Sequence, residues 1–262
     1  MAVSTRVVLI TGASSGIGFA AALAFARRGW HVAALARRID RLEALSVQVS
    51  ALPAGHGELL TLEADVRDAE ALKRAIDAAV ARWGRLDAVI ANAGLGQRGA
   101  LAESAWGDLE TVMRTNMDGV LHTVQAGIPA LRATRGQIVI ISSVVSELTT
   151  PYTAVYSATK AFVSSIARSL RLELEADGIG VTDMLVGRTQ SEFNENRLGQ
   201  TTQPSGRRGI PVMTAEQVAE GIALAVERRR KRVILRPFDR LLLLAHRLFP
   251  EFIGRLALRQ YR

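Results

Sequence analysis

Tyr156 and Lys160, in the stretch Tyr-Ser-Ala-Thr-Lys, are the residues whose types and spacing most directly suggest chemistry. Four residues apart on a helix, they lie one above the other on a single face. A free phenol, with a pKa of about 10, is a poor base at neutral pH. A lysine ammonium one turn away favours the phenolate and lowers that value. The pair could then move a proton to or from an alcohol or ketone oxygen. Any amphipathic helix can carry the same two residues, so their surroundings decide whether the pair is chemical.

A second stretch with chemical meaning is Thr11-Gly12-Ala13-Ser14-Ser15-Gly16-Ile17-Gly18. It follows an apolar, β-branched run from Arg6 to Ile10, which reads as a buried strand, and opens a helical pattern from Ile17 to Arg28 that Gly29 stops. Strand, glycine-rich turn and helix is the context a phosphate-binding loop needs. Gly12 permits the tight turn, Gly16 lets a pyrophosphate approach the backbone and the helix N-terminus, and Gly18 permits close packing of helix on strand. The bland alternative is an ordinary loop with three glycines.

The next strand, His31 to Ala36, bears on cofactor choice. A dinucleotide fold that prefers NAD usually ends this strand in Asp or Glu, which binds the ribose 2′-hydroxyl. Here Ala36 is followed by Arg37 and Arg38. Two guanidiniums without a carboxylate suit a 2′-phosphate, so NADP is expected. The competing reading is two solvated arginines.

The elements that must position these residues alternate. Helical patterns run from about Ile39 to Leu52, Ala69 to Trp83, Ala105 to Arg135, the Tyr156 region to Ala176, and Ala215 to Glu227. Strand-like runs cover Leu59 to Glu63, Leu86 to Ala91, Gln137 to Ile141, Gly180 to Met184 and Arg232 to Leu235. The alternation predicts an α/β fold, a parallel sheet with helices on both faces. Ligands in such sheets bind beyond the carboxyl ends of the strands. Gly12, Ala36, Asp65 and Asn92 all fall there. Asp65 could bond an adenine ring or cap the following turn. Asn116, inside the long helical stretch, is a poor helix former with a local task or a backbone to satisfy. Residues 188–213 lack periodicity and read as a long loop of the kind that forms lids.

Composition bounds the rest. The 262 residues, 48% hydrophobic, suffice for one large α/β domain with a full core. With Cys at 0, disulfides, thiolate metal sites and cysteine nucleophiles are excluded. The N-terminus has no signal-peptide pattern and no apolar run reaches the roughly 18 residues of a spanning helix, so a cytoplasmic location is expected. The net charge of +8 is concentrated in the tail: residues 228–262 hold eleven Arg or Lys against two Asp or Glu, leaving 22 against 23 elsewhere. Beyond 236, Phe238, Leu241, Leu242, Ala245, Leu248 and Phe249 follow helical spacing, Pro250 interrupts, and Phe252, Ile253, Leu256 and Ala257 resume it. Two basic amphipathic helices are expected, packed on the domain, on a partner subunit or on a membrane surface.

Taken in order, Thr11–Gly18, Asp65-Val66, Asn92-Ala93-Gly94, Asn116, Ser143 and Tyr156-x-x-x-Lys160 resemble the short-chain dehydrogenase/reductase family, over about residues 4–236. The resemblance implies a single Rossmann-type domain, residues 1–236, with a seven-stranded parallel sheet, and leaves 237–262 as an extension. It implies an Asn-Ser-Tyr-Lys site. Tyr156 is then the general acid/base, and Ser143 hydrogen-bonds the substrate oxygen. Lys160 binds the nicotinamide ribose and lowers the Tyr156 pKa, while Asn116 holds a water in a relay to Lys160. Gly12, Ser14, Ser15, Gly16, Ile17, Gly18, Arg37, Arg38, Asp65, Val66, Asn92, Ala93 and Gly94 would line the NADP(H) cleft. Val186-Gly187 stands where Pro-Gly is usual in the family, and Gly187, Thr189 and Ser191 are the candidates near the nicotinamide amide. The family is commonly dimeric or tetrameric.

The leading expectation is therefore an NADP(H)-dependent reductase or dehydrogenase of a small-molecule carbonyl/alcohol pair, with a partly apolar substrate suggested by Leu148, Pro151, Tyr152, Val155, Phe193 and Leu198. The alternatives are an NADP-binding sensor without turnover and a membrane-surface protein driven by the basic tail. The tail carries no recognisable nucleic-acid motif.

Overall fold

A computed structural model of the chain describes residues 5–190, 192–199 and 212–259. Strands β1 (Val7–Thr11), β2 (His31–Ala36), β3 (Leu59–Glu63), β4 (Ala88–Ala91), β5 (Gln137–Ser143), β6 (Gly180–Val186) and β7 (Arg232–Val233) form one parallel sheet in the order β3-β2-β1-β4-β5-β6-β7. The order reverses direction at β1 and β4, so a crevice opens at their carboxyl ends, where the glycine turn and Asn92 sit.

β1 shows why the strands carry continuous apolar runs rather than alternation. Val8 and Ile10 enter a core with helices α1 (Gly16–Arg27), α2 (Ile39–Ser50) and α7 (Ala215–Glu227). Val7 and Leu9 enter the opposite core with α3 (Ala69–Trp83), α5 (Gly119–Thr134) and α6 (Ala154–Glu173). Successive side chains point to opposite faces, and both faces are covered.

The long helical stretch expected from Ala105 to Arg135 is not uniform. It consists of α4 (Trp106–Met113), a π-helical turn (Arg114–Asp118) and α5. The wide turn falls on Asn116, which is fully buried. Beyond the sheet, α8 (Pro237–Leu248) and α9 (Pro250–Arg259) account for the expected tail helices, separated at Phe249 ahead of Pro250. No helix among the described residues is long and apolar enough to cross a membrane.

Of the expected lid, residues 200–211 and Ser191 lie outside the described residues. Residues 192–199 are laced to the loop after β4, with Leu198 N–H donating to the Gly96 carbonyl (3.0 Å) and Arg98 N–H to the Leu198 carbonyl (3.0 Å).

Candidate active site

The glycine turn is held by backbone approach. Gly12 has φ +69°, a left-handed conformation. A Cβ on Gly18 would lie 2.3 Å from the Gly12 carbonyl oxygen and 2.6 Å from Asn92 Nδ2. Gly18 thus allows the helix to approach the turn. Asn92 fastens the same turn from β4: its side-chain amide donates to the Thr11 carbonyl (2.9 Å) and the Gly12 carbonyl (3.3 Å). The Thr11 hydroxyl in turn accepts from the Asn92 and Ala93 N–H groups (3.1 and 3.2 Å). No side chain caps the α1 N-terminus, so its first-turn N–H groups face the cavity as an anion site.

The two arginines differ. Arg38 reaches back over the turn, donating to Ser14 Oγ (3.0 Å) and Ser15 Oγ (2.9 Å). Arg37 lies 3.8 Å from the Asp65 carboxylate. Asp65 is committed to a local pair: it accepts from Arg67 N–H (3.0 Å) and from the Arg67 guanidinium (2.6 Å). Burial works to raise the Asp65 carboxyl, but the Arg67 hydrogen bonds outweigh it and hold the pKa below the ordinary value. The cap of α3 is Asp68, three residues further on, which accepts from Ala71 N–H (3.0 Å). Asp65 caps the turn that follows it, through Arg67 N–H, one of the two readings its sequence position allowed, while Asp68 caps the helix.

Ser143, Tyr156 and Lys160 come together at the end of β5. Pairing of β5 with β6 sets Ser143 beside Val186, whose carbonyl accepts from Ser143 Oγ (3.1 Å). The Tyr156 phenol and Ser143 line the same end of the cavity. Burial pushes the Tyr156 pKa up to about 12, while Ser143 and the Arg197 guanidinium pull the other way. The expected lysine effect on the phenol is not what the geometry expresses: burial brings Lys160 down to about 8, and its Nζ donates to the Ile141 carbonyl (2.9 Å). At neutral pH the enclosed Tyr156 phenol keeps its proton.

Asn116 takes up its local task in full. Its Oδ1 accepts from Leu95 N–H (2.7 Å), and its Nδ2 donates to the Leu95 carbonyl (2.9 Å) and Thr159 Oγ1 (3.1 Å). The π-helical turn thereby fixes the loop after β4 to the Tyr156 helix. A Cβ on Gly94 would fall 3.2 Å from Asn116 Oδ1 and 3.5 Å from Lys160 Nζ, so Gly94 is the floor between them. Gly187 and Thr189 line the opposite wall. Thr189 Oγ1 donates to the Gly187 carbonyl (3.1 Å), and Met213 holds the segment through Met213 N–H to the Arg188 carbonyl (3.0 Å).

Three features were missed in the sequence. Asp183, inside β6, is buried and accepts from Ser142 Oγ and Ser164 Oγ, each at 2.5 Å. It ties β5 and β6 to α6, the helix that carries Tyr156, and burial raises its pKa against those two hydroxyls. Its signal was available, since a carboxylate within the run Gly-Val-Thr-Asp-Met-Leu-Val must find partners. The second is Arg197, which lies close enough to bias the Tyr156 phenol, beside Phe193, an expected pocket residue whose ring centroid sits 5.8 Å from that of Tyr156. The third is α8, whose Phe238, Asp239 and Leu242 line the cavity. Asp239, only 1% exposed, pairs with Arg236 (2.6 Å) behind Gly187. All of this surrounds one cavity of about 1070 Å³, running from the glycine turn to the Ser143–Tyr156 pair.

The geometry agrees with what this chain is similar to. The model of the short chain dehydrogenase family matches residues 6–201. A sulfoacetaldehyde reductase of Chromohalobacter salexigens is 34% identical over 221 residues, 82% of this chain and 86% of that protein. Among solved structures, an alcohol dehydrogenase of the archaeon Thermococcus sibiricus complexed with 5-hydroxy-NADP superposes with a TM-score of 0.75 at 28% identity, covering 85% of this chain and 91% of that one. A short chain dehydrogenase of Mycobacterium paratuberculosis bound to NAD gives 0.77 at 26%, covering 87% and 94%. This chain belongs to the short-chain dehydrogenase/reductase family of oxidoreductases.

Proposed function

We propose that the chain is an NADP(H)-dependent oxidoreductase that interconverts a ketone or aldehyde and the corresponding alcohol. The observation that carries this reading is the buried phenol of Tyr156, which lines one cavity with Ser143, an uncapped helix N-terminus and two arginines.

The residues present fit a dinucleotide. Gly12, Gly16, Ile17 and Gly18 with Ser14 and Ser15 would cradle the pyrophosphate against α1, and Arg37 and Arg38 would hold the 2′-phosphate. Asp65 and Val66 flank the adenine end, with Asn92, Ala93 and Gly94 as the floor. Gly187 and Thr189 would lie at the nicotinamide end; the further candidate, Ser191, lies outside the described residues. Bound there, the cofactor supplies or accepts the hydride. Ser143 holds the substrate oxygen. Tyr156, protonated at neutral pH, donates the proton that oxygen needs in reduction; in the reverse direction it must first lose its own. Lys160 fixes the ribose end, and Asn116 holds the Leu95 loop and the helix of Tyr156 in register. A protonated phenol and an NADP preference both favour the reductive direction. Leu95, Val144, Leu148, Phe193, Leu198 and Leu242 make the substrate end of the cavity apolar, which supports an apolar carbonyl substrate.

The test is a panel of ketones and aldehydes of increasing apolar size, following oxidation of NADPH and NADH by absorbance. NADPH oxidation with the larger apolar ketones, faster than with NADH, is expected. If the protein binds NADPH yet no carbonyl compound supports its oxidation, the sensor reading replaces the enzyme.

A further inference from the structure

The packed and exposed faces of the tail do not coincide with the stripe its spacing suggested. α8 is fixed to the domain by Asp239 and Leu243 and by His246 Nε2, which accepts from Thr149 N–H (2.8 Å). α9 follows through Gly254, where a Cβ would meet Thr149 at 3.0 Å. The large apolar residues Leu241, Leu244, Leu248, Phe249, Phe252 and Leu256 instead face outward, between 47 and 68% exposed. Exposed apolar residues in such number on one short segment mark a contact surface. Phe238, itself 43% exposed, belongs both to this surface and to the cavity lining.

We infer that α8 and α9 form a docking platform for an anionic lipid bilayer, placed at the entrance of the substrate cavity so that an apolar carbonyl substrate enters from the membrane. Charge decides between a bilayer and a second copy of the chain. Arg240, Arg247, Arg255 and Arg259 are all exposed beside the apolar residues, against one exposed carboxylate, Glu251. A two-fold contact through this face would bring two arginine-rich surfaces together, whereas anionic headgroups complement it. The helices are too short to span and are held to the domain at Asp239, Leu243, His246 and Gly254, which suits a platform that lies in the interface. Docking itself needs no catalysis; only the substrate route rests on the function proposed above.

The experiment uses the full chain and vesicles of equal parts phosphatidylglycerol and phosphatidylcholine, sedimented at low salt. Wild type is expected in the pellet, with binding lost at high salt and weak on phosphatidylcholine alone. A variant carrying Leu244→Gln, Leu248→Gln and Phe252→Gln, residues outside the cavity lining, should partition at least tenfold less. It should bind NADPH and turn over small soluble ketones as before. If wild type stays in the supernatant at low salt, docking is overturned. If the variant instead splits a wild-type dimer on analytical sedimentation, the face belongs to a second copy and the proposal fails. Should docking hold while no ketone is reduced, the platform stands and the enzymatic reading alone falls.

Discussion

The two ends of the cavity are built from different materials. At the glycine turn the wall is backbone, pinned from behind by the Asn92 amide, and Gly18 leaves no room for a methyl group. At the Tyr156 end the walls are side chains, contributed by Phe193 and Arg197 from the lid and Phe238 and Leu242 from α8. A surface made of backbone holds one shape of ligand and resists substitution. A surface made of side chains can be reshaped one residue at a time. The glycine-turn end is therefore the constant part of this molecule in tolerance to substitution and the Tyr156 end its variable part, with Ser143, Tyr156 and Lys160 on the seam between them.

The largest effect should come from the seam. Tyr156→Phe keeps the ring but removes the proton donor, and the turnover of any ketone should fall by about 10²–10⁴. NADPH affinity should stay within a factor of two or so, measured by fluorescence titration. A variant that keeps most of its turnover with chemistry rate-limiting would show that the seam lies elsewhere.

Lys160→Met tests the seam by stability. The lysine titrates at 10.5 in an ordinary setting and at about 8 when buried here. Below about pH 8 both folded and unfolded chains hold the proton, and the folded one carries the whole burial penalty; above 10.5 neither holds it. The difference corresponds to about 3 kcal/mol at about 1.4 kcal/mol for each pKa unit. Lys160→Met should therefore be more stable than wild type at pH 7. Between pH 8 and 10.5 that advantage should shrink, as followed by urea unfolding. A gain that ignores pH would mean that the ammonium is not buried.

At the constant end, Arg37→Ala and Arg38→Ala should each weaken NADPH by about 1.5–3 kcal/mol, the strength of a hydrogen bond to a charged group, while NADH is little changed. Equal losses for both cofactors would assign the two arginines to holding Asp65 and the serines rather than to reading a phosphate. The smallest effect belongs to the variable end. Phe193→Ala removes the ring beside Tyr156, and aromatic pairs contribute about 0.5–1.5 kcal/mol beyond their burial. KM for apolar ketones should rise by that amount with cofactor affinity unmoved; a change in cofactor affinity instead would erase the distinction between the two ends.

How far the sequence could be read follows the same division. Every strand and the α1, α3 and α7 boundaries were legible, because buried strands and glycine stops leave strong local patterns: Gly84, with φ +73°, ends α3 where its type said it would. The glycine turn was legible for the same reason. What was not legible depends on distant partners. Nothing local says that Asp183 meets Ser142 and Ser164, or that Asp239 closes behind Gly187. The tail showed the hazard most clearly. Its 3.6-residue periodicity was real, but α8 turns Asp239 inward and Leu241 outward, since an Arg236 partner makes the carboxylate a better inward residue than hydrophobicity alone would rank it. The Tyr156 pKa is a similar case: spacing supplied the lysine, and only the enclosure of the phenol set the sign.

The wide turn at Arg114–Asp118 carries a consequence for how this protein can diverge. A π-helical turn holds one residue more than an α-helical turn of the same span. Deleting one residue there would restore ordinary helix and leave α4 and α5 facing as they do, because the wide turn absorbs the residue that a regular helix would pass on as a rotation of about 100°. The change would be confined to the turn itself, from which Asn116 holds Leu95 and Thr159. The extra residue acts as an indexing pin: insertions and deletions elsewhere in α4 and α5 turn the face presented by everything beyond them by about 100° per residue, whereas the wide turn takes up one residue without turning the rod.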